Sequence, residues 1–66
     1  MPSTVIKSFV YSENKKTLRI VYQSGAVYDY LGVSKTVFDE FTSAFSKGTF
    51  LNKVIKPNFR YRKISD

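Results

Sequence analysis

The 66-residue sequence predicts an α+β fold. A small antiparallel β-meander of three strands packs against one amphipathic helix and a short second helix, and the C-terminal segment serves as a fourth, edge strand or as an extended arm. Two observations carry this. Residues 4–31 consist of runs rich in β-branched and aromatic residues, separated by polar or glycine-containing breaks. From Ser34 onward the apolar positions switch from a period of two to the spacing of an α-helix. No internal repeat, low-complexity tract or linker interrupts the chain, so residues 1–66 read as a single domain.

The first strand is assigned to Thr4–Tyr11 (TVIKSFVY), and the polar run Ser12-Glu13-Asn14-Lys15-Lys16 ends it. The second, Thr17–Tyr22 (TLRIVY), sets Leu18, Ile20 and Tyr22 at alternate positions, which places them on one face. A turn at Ser24-Gly25 leads into the third, Ala26–Leu31. Val37, Phe38, Phe41, Ala44 and Phe45 then fall at i, i+1, i+4, i+7 and i+8, one stripe of a helix. Ser34 suits its N-cap, Gly48 the left-handed position beyond its last turn, and Lys47 the negative end of its dipole. A short second helix follows in TFLNKVI, with Phe50, Leu51, Val54 and Ile55 on one side, and Pro57 is expected to end it. The tail NFRYRKI alternates aromatic and basic residues.

The orientation of Tyr28 and Tyr30 depends on the hairpin at Gly25. A two-residue loop, Ser24-Gly25, sets Asp29 opposite Ile20 and Tyr30 opposite Arg19. A three-residue loop, Gln23-Ser24-Gly25 with Gly25 in the left-handed region, sets Tyr28 opposite Ile20, Asp29 opposite Arg19 and Tyr30 opposite Leu18. A one-residue slip exchanges every side chain between faces. The longer loop pairs opposite charges and sets aromatic rings against aliphatic ones, each pair worth about 0.2–1 kcal/mol. It is the favoured register. Tyr28 and Tyr30 then join the floor on which Val37, Phe41 and Phe45 pack, with their hydroxyls at the rim.

A chain of this length buries only about 60% of the surface exposed when unfolded. With no cysteine there is neither a disulfide nor a thiolate metal site, and with no histidine the commonest general base is missing. Six Phe and five Tyr must supply much of the packing. Asp39-Glu40 is the one adjacent carboxylate pair, and neighbours on a helix diverge by about 100°, so they cannot share a substrate. No catalytic set, metal-ligand spacing, P-loop or dinucleotide fingerprint is present. The expectation is therefore a non-enzyme with no cofactor, no metal and no small-molecule substrate. Neither a signal peptide nor a membrane-spanning run is visible, and the absence of cysteine agrees with a cytoplasmic location.

The charge is uneven. Residues 1–46 hold five Lys or Arg against four Asp or Glu, whereas residues 47–66 hold six against Asp66 alone. The candidate binding segment lies there: Lys53, Lys56, Arg60, Arg62 and Lys63, interleaved with Phe59 and Tyr61. Cations neutralise phosphates and release counterions, and an exposed ring stacks on an unpaired base. Single strands are the natural target because their bases are free to splay out. In extended form Arg60 and Arg62 lie on one side, and Phe59, Tyr61 and Lys63 on the other. The competing expectation is a protein-interaction or homodimerisation module, with an edge strand recruiting another chain and the cations keeping that edge soluble.

The order of motifs resembles the KTSC domain. The strand ending at Tyr11, then LRIVYQSGAVYDYLGV, a helix, and SKGTFLNKVI carry the likeness. The family's Y-x-Y pair corresponds to Tyr28 and Tyr30 and its turn glycine to Gly25, while Ser46, Gly48, Phe50 and Asn52 approximate its S-x-G, aromatic and asparagine step. Ser34 stands where members often carry proline, and it caps a helix equally well. KTSC domains occur at the C-terminus of some lysyl-tRNA synthetases and as free-standing small proteins of bacteria and phages. The resemblance implies a whole-chain KTSC-like domain and, through the synthetase context, an RNA-directed role.

Overall fold

The computed structural model describes residues 6–65. Over them β1 (Ile6–Ser12), β2 (Thr17–Tyr22), β3 (Val27–Leu31) and β4 (Arg60–Ser65) form one antiparallel sheet in the order β1-β2-β3-β4. The C-terminal segment is thus a strand rather than an arm. Thr4 and Val5, assigned to the first strand from the sequence, lie outside the described residues.

The Gly25 hairpin has the longer loop. Arg19 pairs with Asp29, Ile20 with Tyr28 and Leu18 with Tyr30. Gly25, at φ 98°, donates its N–H to the Tyr22 carbonyl (2.9 Å), and the Tyr22 N–H reaches the Ala26 carbonyl (2.8 Å). The positive φ at the last loop residue favours glycine because it has no Cβ to clash.

Alternation then sorts the sheet. Leu18, Ile20, Tyr22 and Tyr30 face the helices and are buried with Val33, Phe41, Leu51 and Ile55. Val10, Arg19, Asp29 and Arg62 are aligned across the other face, over which no helix lies among the described residues.

Helix α1 (Lys35–Ser43) begins at Ser34, whose Oγ accepts the Val37 N–H at 3.3 Å. Its rings pack on β1: Phe41 meets Phe9 edge-on at 5.1 Å, and Phe38 stacks on Tyr11 at 4.4 Å. The Tyr11 hydroxyl donates to the Val33 carbonyl (2.7 Å), tying β1 to the segment that enters α1.

Three expectations for this region are corrected. The helix stops at Ser43, Phe45 is fully exposed instead of packing beside Phe41, and Gly48 lies buried within the next helix instead of beyond the end of α1. The cause is a second N-cap. Ser46 Oγ accepts the Thr49 N–H (3.3 Å) and bonds the Thr49 hydroxyl (3.1 Å), which requires extended backbone before residue 47. Lys47 consequently opens the second helix.

Residues 47–58 form one continuous helical stretch, made of α2 (Lys47–Phe50), a π-helical turn (Leu51–Ile55) and α3 (Lys56–Asn58). Pro57 does not end it. Proline lacks an N–H, and its ring clashes with the carbonyl four residues earlier in a regular α-helix. The wide turn immediately before it, closed by the Lys56 N–H on the Leu51 carbonyl, relieves that conflict. The helix ends one residue after the proline, where Asn58 Nδ2 donates to the Val54 carbonyl (2.8 Å). Among the described residues no helix is long and apolar enough to cross a membrane.

Candidate nucleic-acid interface

β4 lies along one edge of the sheet and is paired to β3 alone. Leu31 faces Arg60, Tyr30 faces Tyr61, Asp29 faces Arg62 and Tyr28 faces Lys63; the register then shifts so that Val27 meets Ser65, leaving Ile64 as the extra residue. All six residues of the strand are exposed. None of the strand's residues belongs to the buried core cluster, to which β2 gives Leu18, Ile20 and Tyr22 and β3 gives Tyr30.

The strand therefore presents two different faces. Arg60 and Arg62 belong to the face without helices. There Asp29, buried to 4% exposure, receives a two-pronged contact from Arg19, with Nε to Oδ1 at 2.7 Å and Nη2 to Oδ2 at 3.2 Å. The hydrogen bond to Asp29, and after it the carboxylate charge, raise the Arg19 guanidinium above its ordinary pKa. A shallow cleft of about 320 Å³ includes Lys15, Arg19 and Arg62 around this single carboxylate. Three cations against one anion leave the cleft positive, as a phosphate requires.

Tyr61 and Lys63 belong to the helix-side face. The Tyr61 ring, 60% exposed, lies 5.4 Å from Tyr28 and 6.1 Å from Tyr30. These rings wall a groove of about 450 Å³ between the sheet and the 47–58 stretch, with Tyr22 and Lys56 completing it. Lys56 holds its ammonium 5.7 Å from the centre of the Tyr22 ring. At the floor the Tyr22 and Tyr30 hydroxyls share a 2.8 Å hydrogen bond. Burial, reinforced by that bond and by neighbouring tyrosines, pushes the Tyr30 phenol far above its ordinary pKa; burial also raises Tyr22, with the bond to Tyr30 working in the opposite direction. The floor stays neutral at physiological pH.

The seven residues singled out in the sequence thus separate. Lys56 and Tyr61 share the tyrosine groove, and Lys63 lies on the same side of β4. Arg62 lines the cleft on the other face, one alternate position from Arg60. Phe59 is half-buried and packs on the core. Lys53 lies apart, beside Phe45, Phe50 and Val54 on a different, apolar groove. Tyr22, Tyr28, Tyr30 and Arg19 were not among the seven. Their places follow from the hairpin register, which puts the tyrosines on one face and Arg19 beside Asp29 on the other.

A model of the KTSC domain matches residues 2–59, ending one residue before β4. The chain is 40% identical over 62 residues to a lysine–tRNA ligase of Nostoc punctiforme; this covers 94% of the chain and 11% of that enzyme. The chain therefore spans about a ninth of the length of that relative. A small protein of Tsukamurella paurometabola is 36% identical over 58 residues, covering 88% of this chain and 87% of that one. The crystal structure of a KTSC domain protein from Yersinia pestis superposes with a TM-score of 0.86 at 37% identity, over 98% of this chain and 94% of that one. The chain belongs to the KTSC domain family.

Proposed function

We propose that this KTSC domain is a non-catalytic module that binds RNA or single-stranded DNA along β4. One observation carries the reading: an ordered edge strand holds cations on both faces, with an exposed aromatic ring between them. Arg60 and Arg62 reach phosphates from one side of the edge and Lys63 from the other, while Lys56 adds positive charge across the groove. Guanidinium groups take phosphate oxygens in pairs, which suits a backbone tracking the strand. The occurrence of similar domains within lysine–tRNA ligases supports RNA as the first ligand to test.

The test is an amide-shift titration of labelled protein with short single-stranded RNA at two salt concentrations. Saturable shifts centred on residues 60–63, weakening with salt by about 0.7 log units per log unit for each phosphate held, are expected. Shifts that stay flat at near-millimolar RNA refute the reading.

A second reading rests on a different place. Phe45 is fully exposed beside an apolar groove formed with Ala44, Phe50 and Val54. Such a ring suits a protein contact or a homodimer. Sedimentation across a range of concentrations tests the homodimer, which a strict monomer at high concentration removes. The cations along β4 make that edge the poorer candidate for strand addition.

A further inference from the structure

We propose that the tyrosine groove between β3, β4 and the 47–58 helical stretch is a single-nucleotide pocket, taking one unpaired base of the strand held on β4. This rests on the function proposed above and adds to it a subsite that contacts a base rather than a phosphate.

Three features select the ligand. The first is flatness. Tyr22, Tyr28 and Tyr61 contribute rings to a groove of about 450 Å³, within the range of roughly 300–1,000 Å³ typical of pockets for small organic ligands. The Tyr28 and Tyr61 centroids are 5.4 Å apart, with planes inclined by 37°. Inserting a base between two rings needs about 7 Å, two stacking gaps of roughly 3.5 Å. The base therefore lies against the rings, with the exposed Tyr61 as its platform, and is not sandwiched.

The second is charge. Among the described residues the groove is lined by no carboxylate, and Lys56 is its one charged wall. Lys63 is paired opposite Tyr28 on the same side of β4. An aromatic cage for a cationic ligand needs the reverse, rings with no competing ammonium. Here the ammonium over Tyr22 already occupies the cation's role. A flat ligand carrying a negative charge fits, and a nucleotide combines the two.

The third is continuity. Tyr61 sits between Arg60 and Arg62 in sequence, but its side chain emerges on the opposite face. A backbone running along the edge of β4 and held by the two arginines can turn one base inward over the strand to reach Tyr61. Phosphate contacts position a strand without reading it; a base contact distinguishes it from a bare polyanion.

The experiment compares an oligothymidylate with an abasic strand of equal length, each titrated into protein carrying ring-labelled tyrosine, with AMP as a third probe. Stacking of one base predicts that the abasic strand binds about 5- to 160-fold more weakly. The ring signals of Tyr28 and Tyr61 should move with thymidylate and with AMP. Tyr61→Ala should remove the difference between the strands and Tyr61→Phe should keep it. Arg60→Ala with Arg62→Ala should weaken both strands alike. If the two strands bind equally and the ring signals do not move, the pocket is overturned while β4 stands as a backbone track. If neither strand nor AMP binds, both proposals fall. If AMP moves the rings while neither strand binds, the groove stands as a nucleotide site and the β4 track falls.

Discussion

β2 and β4 are the two neighbours of β3, and they are built alike and treated differently. Both alternate side chains between faces, and both place a tyrosine or aliphatic residue beside Tyr30 and an arginine beside Asp29. In β2, Leu18 and Ile20 are wholly buried and Tyr22 nearly so. In β4 every residue is exposed. The difference lies outside the strands. Leu51, Ile55 and Phe41 share the buried cluster with Leu18, Ile20 and Tyr22 of β2 and Tyr30 of β3, and no residue of β4 belongs to it. β4 pairs to β3 through its backbone and leaves Arg60, Tyr61 and Arg62 largely open to solvent.

The sharpest way to break this contrast is to truncate one side chain on each strand. Ile20→Ala should cost about 2–5 kcal/mol, the lost transfer energy plus the cavity left behind. A core of this size supplies about 3–5 kcal/mol net, so the variant should lose a large share of its stability, as urea melts followed by circular dichroism would show. Ile64→Ala, at the exposed bulge of β4, should cost less than about 0.5 kcal/mol. Equal losses from the two would mean that β4 is covered after all.

A second probe uses the tyrosine pair where β2 meets β3. Tyr30→Phe removes one end of the 2.8 Å bond to Tyr22 and should cost about 1 kcal/mol. Its pH signature is more specific. Both phenols titrate higher in the folded protein than in the unfolded chain, where the ordinary value is about 10. Above that pH the unfolded state loses its protons first, so stability is intact below about pH 10 and declines as pH rises past it. Each group contributes up to about 1.4 kcal/mol per pH unit to the decline. Tyr30→Phe should flatten the decline, measured as melting temperature between pH 8 and 11. A decline unchanged from the parent protein would place the Tyr30 hydroxyl in water.

A gentler probe loosens the cover itself. Ser34→Ala removes the cap of α1 and should cost about 1 kcal/mol. In a domain of this size that lowers the melting temperature by about 4–8 °C without unfolding it. A larger loss, approaching that of Ile20→Ala, would show that the entry to α1 does more than cap a helix, through the Tyr11 bond to Val33 beside it.

The contrast between the strands was only half legible in the sequence. Arg19 and Asp29 fixed the hairpin register because the alternative buries a carboxylate against isoleucine. That register placed Tyr28 and Tyr30 on the helix side. The end of α1 is hidden in the sequence because the apolar spacing runs on through Phe45, while Ser46 with Thr49, three residues on, is a cap of equal weight. Pro57 resembles a stop in the sequence because a π turn has no single-residue signature. Above all, how far the helices reach across the sheet is a property of their packing. Alternation separated Arg60 and Arg62 from Tyr61 and Lys63, yet it could not say that both sets would be exposed, or that Tyr22 would line a groove with Lys56.

An equally small effect on stability is expected from Arg60→Ala with Arg62→Ala, and it is the most informative. Both side chains are exposed, and the strand's pairing to β3 uses backbone groups that alanine retains. The double variant should melt within about 0.5 kcal/mol of the parent protein. Removing two phosphate contacts should still reduce the salt slope for single-stranded RNA by about 1.4, at roughly 0.7 per contact, and weaken binding whatever the base sequence. The corresponding change on β2, Arg19→Ala, leaves the buried Asp29 carboxylate without its guanidinium and should disturb stability first. If the β4 variant loses stability and keeps its affinity, the roles of the two strands are reversed. If it keeps both, the cations on β4 serve solubility, and Phe45 becomes the surface to pursue.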